Sequence, residues 1–152
     1  MHPDYFRISI IGGYTMAKLK ATPKNFAAAL LFILTEGKGK LSLRIGNNTY
    51  LEYHTGHGIS PTENIRHGIS PTENITVRLH QTHIVTFWPS GRIALHTGGH
   101  RTATTKERIN QFITGRLYQK AHVWFVVGHD ATGALDWKQP KKFTEGCLVS
   151  GL

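Results

Sequence analysis

The chain has 152 residues, with 18 Lys and Arg against 9 Asp and Glu and a formal charge of +9. That length fits one domain with a real core, and 39% hydrophobic residues exclude disorder throughout. The cationic surplus points to polyanionic partners (nucleic acid, nucleotides or acidic surfaces), and the single cysteine, Cys147, excludes both a disulfide-stapled scaffold and CxxC metal or redox motifs.

In chain order, the first element is the apolar run FAAALLFIL at 26–34. It is too short to span a bilayer. Lys18, Lys20 and Lys24 precede it as in a signal peptide, but Thr35-Glu36-Gly37-Lys38 follows where a small-residue cleavage site would stand. A helix over 22–36 is predicted instead, with Thr22 as cap, Pro23 at its first position and Gly37 at its exit. Being apolar on nearly every side, it should be buried by a sheet or by a second subunit, which makes a homo-oligomer through 26–34 one expectation. Residues 1–40 thus read as an N-terminal extension carrying this helix, and 41–152 as a single α+β domain.

Strands are predicted at 41–45 and 49–53 around a Gly46-Asn47-Asn48 turn. A repeat follows: residues 57–65 and 67–75 both read HGISPTENI, separated by Arg66. Two copies at a period of ten are too short for a solenoid, so 57–75 reads as a duplicated loop insertion. Each copy holds Ser-Pro-Thr-Glu, a capping box with Pro at the first helical position, and should form one helical turn. His54 and His57, like His96 and His100, have spacings that suit a metal, but both pairs fall in or beside Gly-rich loops.

Period-two alternation then marks three strands between Ile75 and His96. Trp88-Pro89-Ser90-Gly91 is a good turn, and Gln81-Thr82 is the candidate for the other. If both loops have two residues, Arg78 faces Val85, Thr76 faces Phe87 and Phe87 faces Arg92. One face then carries Ile75, Val77, Leu79, Ile84, Thr86, Trp88, Ile93 and Leu95. The opposite face brings His80, His83 and His96 into a row about 5 Å apart, a candidate zinc site, beside Arg78, Phe87 and Arg92, a candidate surface for stacked bases and phosphates.

A helix should begin at the capping box Thr104-Thr105-Lys106-Glu107, with Ile109, Phe112 and Ile113 as its apolar stripe and Gly115 as its stop. Its start adds Lys106 and Arg108 to the candidate phosphate-binding set. Strands at 116–119 and 122–127, a turn at 130–133 and a last strand within 143–149 complete the fold, an α+β antiparallel meander. Neither a nucleophile–base pair nor a Walker loop is visible. The residues therefore point to binding rather than catalysis, with an enzyme conceivable only through a metal.

From Asn47 onward the sequence resembles a family of small proteins encoded by tailed phages and prophages. The resemblance rests on Asn47-Asn48-Thr49-Tyr50, Arg78-Leu79-His80 with Thr82, Gly98-Gly99, Thr102, and Thr104-Thr105-Lys106 with Arg108-Ile109-Asn110. Residues 124–127 and 143–149 are also similar, so it covers about two thirds of the chain. The resemblance implies a phage origin and a setting in the host cytoplasm, and it carries over no catalytic role. The chain departs from the pattern at His100, where an aromatic residue usually follows the glycines, in the doubled HGISPTENI and in its first 40 residues. Three functions are expected: a nucleic-acid-binding accessory protein, a protein sequestering a small anionic nucleotide, or a structural and assembly protein.

Overall fold

In the computed structural model the structure describes residues 8–11, 14–55 and 59–150. It is an α+β protein built on antiparallel sheets, as the alternation predicts. Among the described residues, strands β1 (Ile8–Ile11) and β2 (Tyr14–Ala17) form a two-stranded sheet with each other. Helix α1 (Phe26–Glu36) leads into β3 (Ser42–Gly46), β4 (Thr49–His54), helix α2 (Pro61–His67), β5 (Asn74–Leu79), β6 (Thr82–Phe87) and β7 (Arg92–Leu95). Helix α3 (Ala103–Asn110), β8 (Arg116–Lys120), β9 (Val123–Val127), β10 (Lys141–Lys142) and β11 (Cys147–Ser150) follow. The six-stranded sheet runs β11-β7-β6-β5-β4-β3, and the three-stranded sheet runs β10-β9-β8.

The core face of the large sheet has two rows of facing residues. One is Leu43, Leu51, Val77, Val85, Leu95 and Cys147, and the other is Tyr53, Ile75, Phe87, Ile93 and Val149. Phe26, Ala29 and Ile33 of α1, Ile109 with Phe112 and Ile113, and Leu117, Trp124, Val126 and Phe143 belong to the same buried cluster. One core thus lies between the large sheet, the helices and the small sheet. Helix α1 is sunk on one side only: Leu31 on its outer side is 62% exposed. Its cap is Asn25, whose side chain accepts from the Ala28 amide at 2.8 Å, so the helix begins three residues after Pro23 rather than at it. Likewise α3 is capped by Thr102, accepting from the Thr105 amide at 3.1 Å, and not by Thr104.

The register between Ile75 and Leu95 differs by one residue from the sequence expectation. The first turn is His80-Gln81, with Leu79 opposite Thr82 and His80 at φ 54. His is one of the few non-glycine residues enriched in that left-handed region, which hides the turn from a search for Gly or Asn. Val77 faces Val85 and Arg78 faces His83, so Ile84 is an extra residue in a β-bulge. The second turn is the expected one, with the Gly91 amide donating to the Trp88 carbonyl at 3.0 Å. Gly91 at φ 94 then adds a bulge that brings Phe87 opposite Ile93 instead of Arg92. Val85 and Phe87 therefore point into the core, both with no exposed surface, and Thr86 points outward.

The two HGISPTENI copies differ in structure although their sequences are identical. The first begins at His57 and Gly58, which lie outside the described residues, and continues into α2, with Pro61 at its first position and Ser60 Oγ accepting from the Glu63 amide at 3.2 Å. The second forms a turn, not a helix, and then enters β5. There the Ser70 amide donates to Glu73 Oε2 at 3.1 Å. Each copy thus makes a different half of the capping box. Glu63 stays at the surface beside Arg66 and His67. Glu73 is buried and accepts from Tyr53 Oη at 2.8 Å and Asn64 Nδ2 at 2.6 Å. Burial and the Glu73 carboxylate push the Tyr53 hydroxyl up to about 12. Asn64 belongs to the first copy, so the two copies clasp each other directly, with the Tyr53 hydroxyl bonded to both.

Two outcomes follow for stability. Glu73→Ala removes the buried acceptor shared by the Tyr53 hydroxyl and the Asn64 amide and should cost about 2–3 kcal/mol, whereas Glu63→Ala removes exposed ion pairs and should cost under about 1 kcal/mol. Urea denaturation of both variants checks this, and equal losses would refute the division of roles. Gly91→Ala should cost about 1–2 kcal/mol from backbone strain alone, since a Cβ there meets nothing within 4 Å; thermal unfolding measures it.

Candidate functional site

The outer side of the large sheet carries the row Ser42, Glu52, Thr76, Thr86, Ala94 and Leu148. Glu52 is its centre of charge. Its Oε1 accepts from His83 Nε2 at 2.9 Å, and its Oε2 accepts from Arg78 Nε at 3.1 Å and Ser42 Oγ at 3.3 Å. Burial pushes the Glu52 carboxyl up, but the hydrogen bonds and charges of His83 and Arg78 outweigh it and hold the group below the usual carboxylate value. His54, two residues along β4, sends its ring edge-on to His83 at 5.5 Å between centroids. Its Nε2 meets Thr76 Oγ1 at 3.0 Å. Burial, reinforced by His83, keeps its imidazole below the ordinary histidine value.

The histidine row expected from sequence is not what this face holds. His83 is present, but its neighbours are Glu52 and His54; His80 sits in the exposed turn, and His96 packs beside Gly146 at the end of β7. The one-residue slip separates them. His57 lies outside the described residues. Sequence reading missed Glu52 because it is 31 residues from His83 and joins it only across β5.

The proposed phosphate and base contacts also disperse. Arg78 is folded over Tyr50, 4.2 Å from the ring centre, and donates to the His80 carbonyl at 2.6 Å as well as to Glu52. Phe87 lies wholly in the core and offers no face to a base. Arg92 is exposed over Trp88, at 5.3 Å. Lys106 is half-buried on α3. Arg108 is 4% exposed, donates through Nη1 to Gln111 Oε1 at 3.1 Å, and leaves its Nε without a partner among the described residues. Lys24 donates to the carbonyl of the same Gln111 at 2.8 Å.

A second polar and aromatic surface lies on the small sheet. Alternation along β8 and β9 sends Leu117, Trp124 and Val126 into the core and Tyr118 and Phe125 to the opposite face. The turn between the strands is Ala121-His122, both at positive φ, and it sets Tyr118 opposite Phe125. Their rings stack at 5.6 Å and 27°. After β9 the chain makes a short excursion: Asp130 Oδ1 accepts from the Thr132 and Ala134 amides, His129 bridges to Leu135, and the Asp136 amide returns to the Gly128 carbonyl at 2.8 Å. This loop brings Trp137 edge-on to Tyr118 at 5.3 Å while leaving it 54% exposed. Lys142 lies opposite Phe125, Lys120 ends β8, and Lys138 follows Trp137. These lysines and Lys141 are exposed, and none is in an ion pair among the described residues. Residues 116–142 hold five Lys and Arg against two Asp, which makes the aromatic face cationic. Behind it, an open groove of about 560 Å³ runs between the small sheet and β11, lined by His129, Asp136, Lys141, Lys142 and Cys147 among others. The signal for this surface was in the sequence, as alternating Tyr118 and Phe125 in predicted strands, but the Ala-His turn concealed their pairing.

No helix among the described residues is long and apolar enough to cross a membrane. No curated protein and no solved structure matches the chain. The sequence model of the Kyanoviridae Gp96 protein family matches residues 47–149, a span that contains both surfaces. With that match covering more than half of its length, the chain belongs to the phage-associated Kyanoviridae Gp96 protein family.

Proposed function

We propose that this phage-associated protein binds single-stranded nucleic acid on the outer face of its small sheet. The observation that carries the reading is the stacked Tyr118–Phe125 pair with exposed Trp137 beside it, ringed by exposed Lys120, Lys138 and Lys142. Exposed aromatic rings give bases a surface to stack on, worth about 1–3 kcal/mol per base and indifferent to sequence. Lysines at the rim hold the phosphates between stacked bases, and their contribution depends on salt. The +9 formal charge of the whole chain favours the encounter. Arg78 takes no part, because Glu52 and Tyr50 already occupy its guanidinium.

Fluorescence anisotropy with a short labelled oligonucleotide tests this. Trp137→Ala should weaken binding by about 1–2 kcal/mol. Lys120→Ala and Lys142→Ala should each reduce the slope of log affinity against log salt by about 0.7. Arg78→Ala should leave the affinity unchanged. If Trp137→Ala and Tyr118→Ala both bind like the parent protein, the platform is not the site. An oligonucleotide that binds no tighter than a mononucleotide would replace this reading with capture of a small anionic nucleotide.

A further inference from the structure

We infer that Glu52, His54 and His83 form a binding site for one divalent transition-metal ion of the zinc class on the outer face of the large sheet. Each offers a ligand atom within 4.8 Å of the other two, and among the described residues no other group of three histidine, cysteine or acidic side chains does so. Two imidazole nitrogens and one carboxylate oxygen are a donor set that zinc accepts, with the remaining positions open to solvent.

The arrangement is built into the sheet rather than gathered from loose side chains. Glu52 and His54 are two residues apart on β4, so the pleat puts both on one face. His83 is on β6, with the whole of β5 between, and strand spacing sets the two backbones about 10 Å apart. Thr76, the β5 residue opposite Glu52, is short enough to let the longer side chains meet over it. The bulge at Ile84 completes the set. With Val85 pointing into the core, unbroken alternation would send Ile84 outward and His83 inward. The extra residue buries Ile84 and turns His83 out toward Glu52.

The surrounding groups orient the ligands. Arg78 and Ser42 hold Oε2 of Glu52, which leaves Oε1 facing His83. Thr76 holds Nε2 of His54, which leaves Nδ1 for the ion. Such outer partners fix ring orientation in metal sites. A cation entering between His83 Nε2 and Glu52 Oε1 replaces the hydrogen bond that joins them. Half-exposed ligands give the ion direct access from solvent, and the site is independent of the aromatic platform on the other sheet.

The test uses the full chain without a histidine tag. Zinc is titrated in competition with a coloured chelator, and cobalt(II) serves as a second, directly visible probe. One equivalent per chain is expected, with the cobalt absorption bands appearing in parallel. His54→Ala and His83→Ala should each lower affinity about tenfold or more and abolish the bands. Both residues are exposed, and unchanged thermal unfolding of the metal-free variants shows that the fold is kept. His80→Ala and His96→Ala should bind like the parent chain. Fewer than about 0.1 equivalents bound by the parent, or undiminished binding in His54→Ala and His83→Ala, would overturn the inference.

Discussion

Strand β6 has to send Ile84 and Val85 to the same side of the sheet, and a regularly alternating strand cannot do that. The bulge opposite Val77 and Arg78 resolves the conflict. On its β7 side, Val85 and Phe87 face Leu95 and Ile93 and fill the centre of the core. On its turn side, His83 is released to the outer face beside Glu52. The bulge therefore serves packing and the polar cluster together. Straightening the strand without deleting a residue would exchange a buried isoleucine for a buried imidazole, which costs more than the lost hydrophobic area because the ring would need a partner inside.

The repeated nonapeptide shows the same principle at another scale. Local sequence offers both copies the same helix start, and only the first takes it. In the second copy Ile75 must join the sheet opposite Tyr53 and Phe87, where it is fully buried, whereas the equivalent Ile65 is 38% exposed. Burying an isoleucine is worth about 1.5–3 kcal/mol, more than a capping box supplies. Tertiary packing thus selects the strand, and the displaced Glu73 finds buried partners in Tyr53 and in Asn64 of the other copy.

How much of this is legible in the sequence depends on the scale of the interaction. The strands of the large sheet, β8, β9, helices α1 and α3 and the Trp88–Gly91 turn follow from alternation and turn chemistry and emerge within a few residues of expectation, whereas β1, β2 and β10 are not among the expected elements. Register does not, because it rests on single residues with unusual backbone angles: His80, Gly91 and the Ala121-His122 pair. None of these announces its role, since Gly91 reads as the end of a four-residue turn and the others are not turn formers. One wrong step at His80 moves Phe87 from the core to the surface and aligns the wrong histidines. Glu52 and Trp137 were beyond reach for a different reason. Each joins its partners through the fold, Glu52 across an intervening strand and Trp137 through an excursion closed by Asp130 and Asp136.

Both candidate surfaces lie within the family-matched span, but the support beneath them does not come from that span alone. Phe26 packs edge-on against Tyr53 at 6.1 Å, and Ala29 and Ile33 complete the cover over β4 and β5. Helix α1 and β3 both precede Asn47. A chain limited to 47–149 would leave Tyr53, Ile75 and Leu51 open to water on that side, and any protein of this architecture must close the same face in some way. The division has a practical consequence for how function is probed. Trp137, His54 and His83 are exposed, so substituting them reports on binding. Phe87 and Arg108 are buried, so substituting them reports first on whether the sheet and α3 still pack. A loss of binding caused at Phe87 would therefore say nothing about a contact with nucleic acid, whereas the same loss at Trp137 with the fold intact locates one.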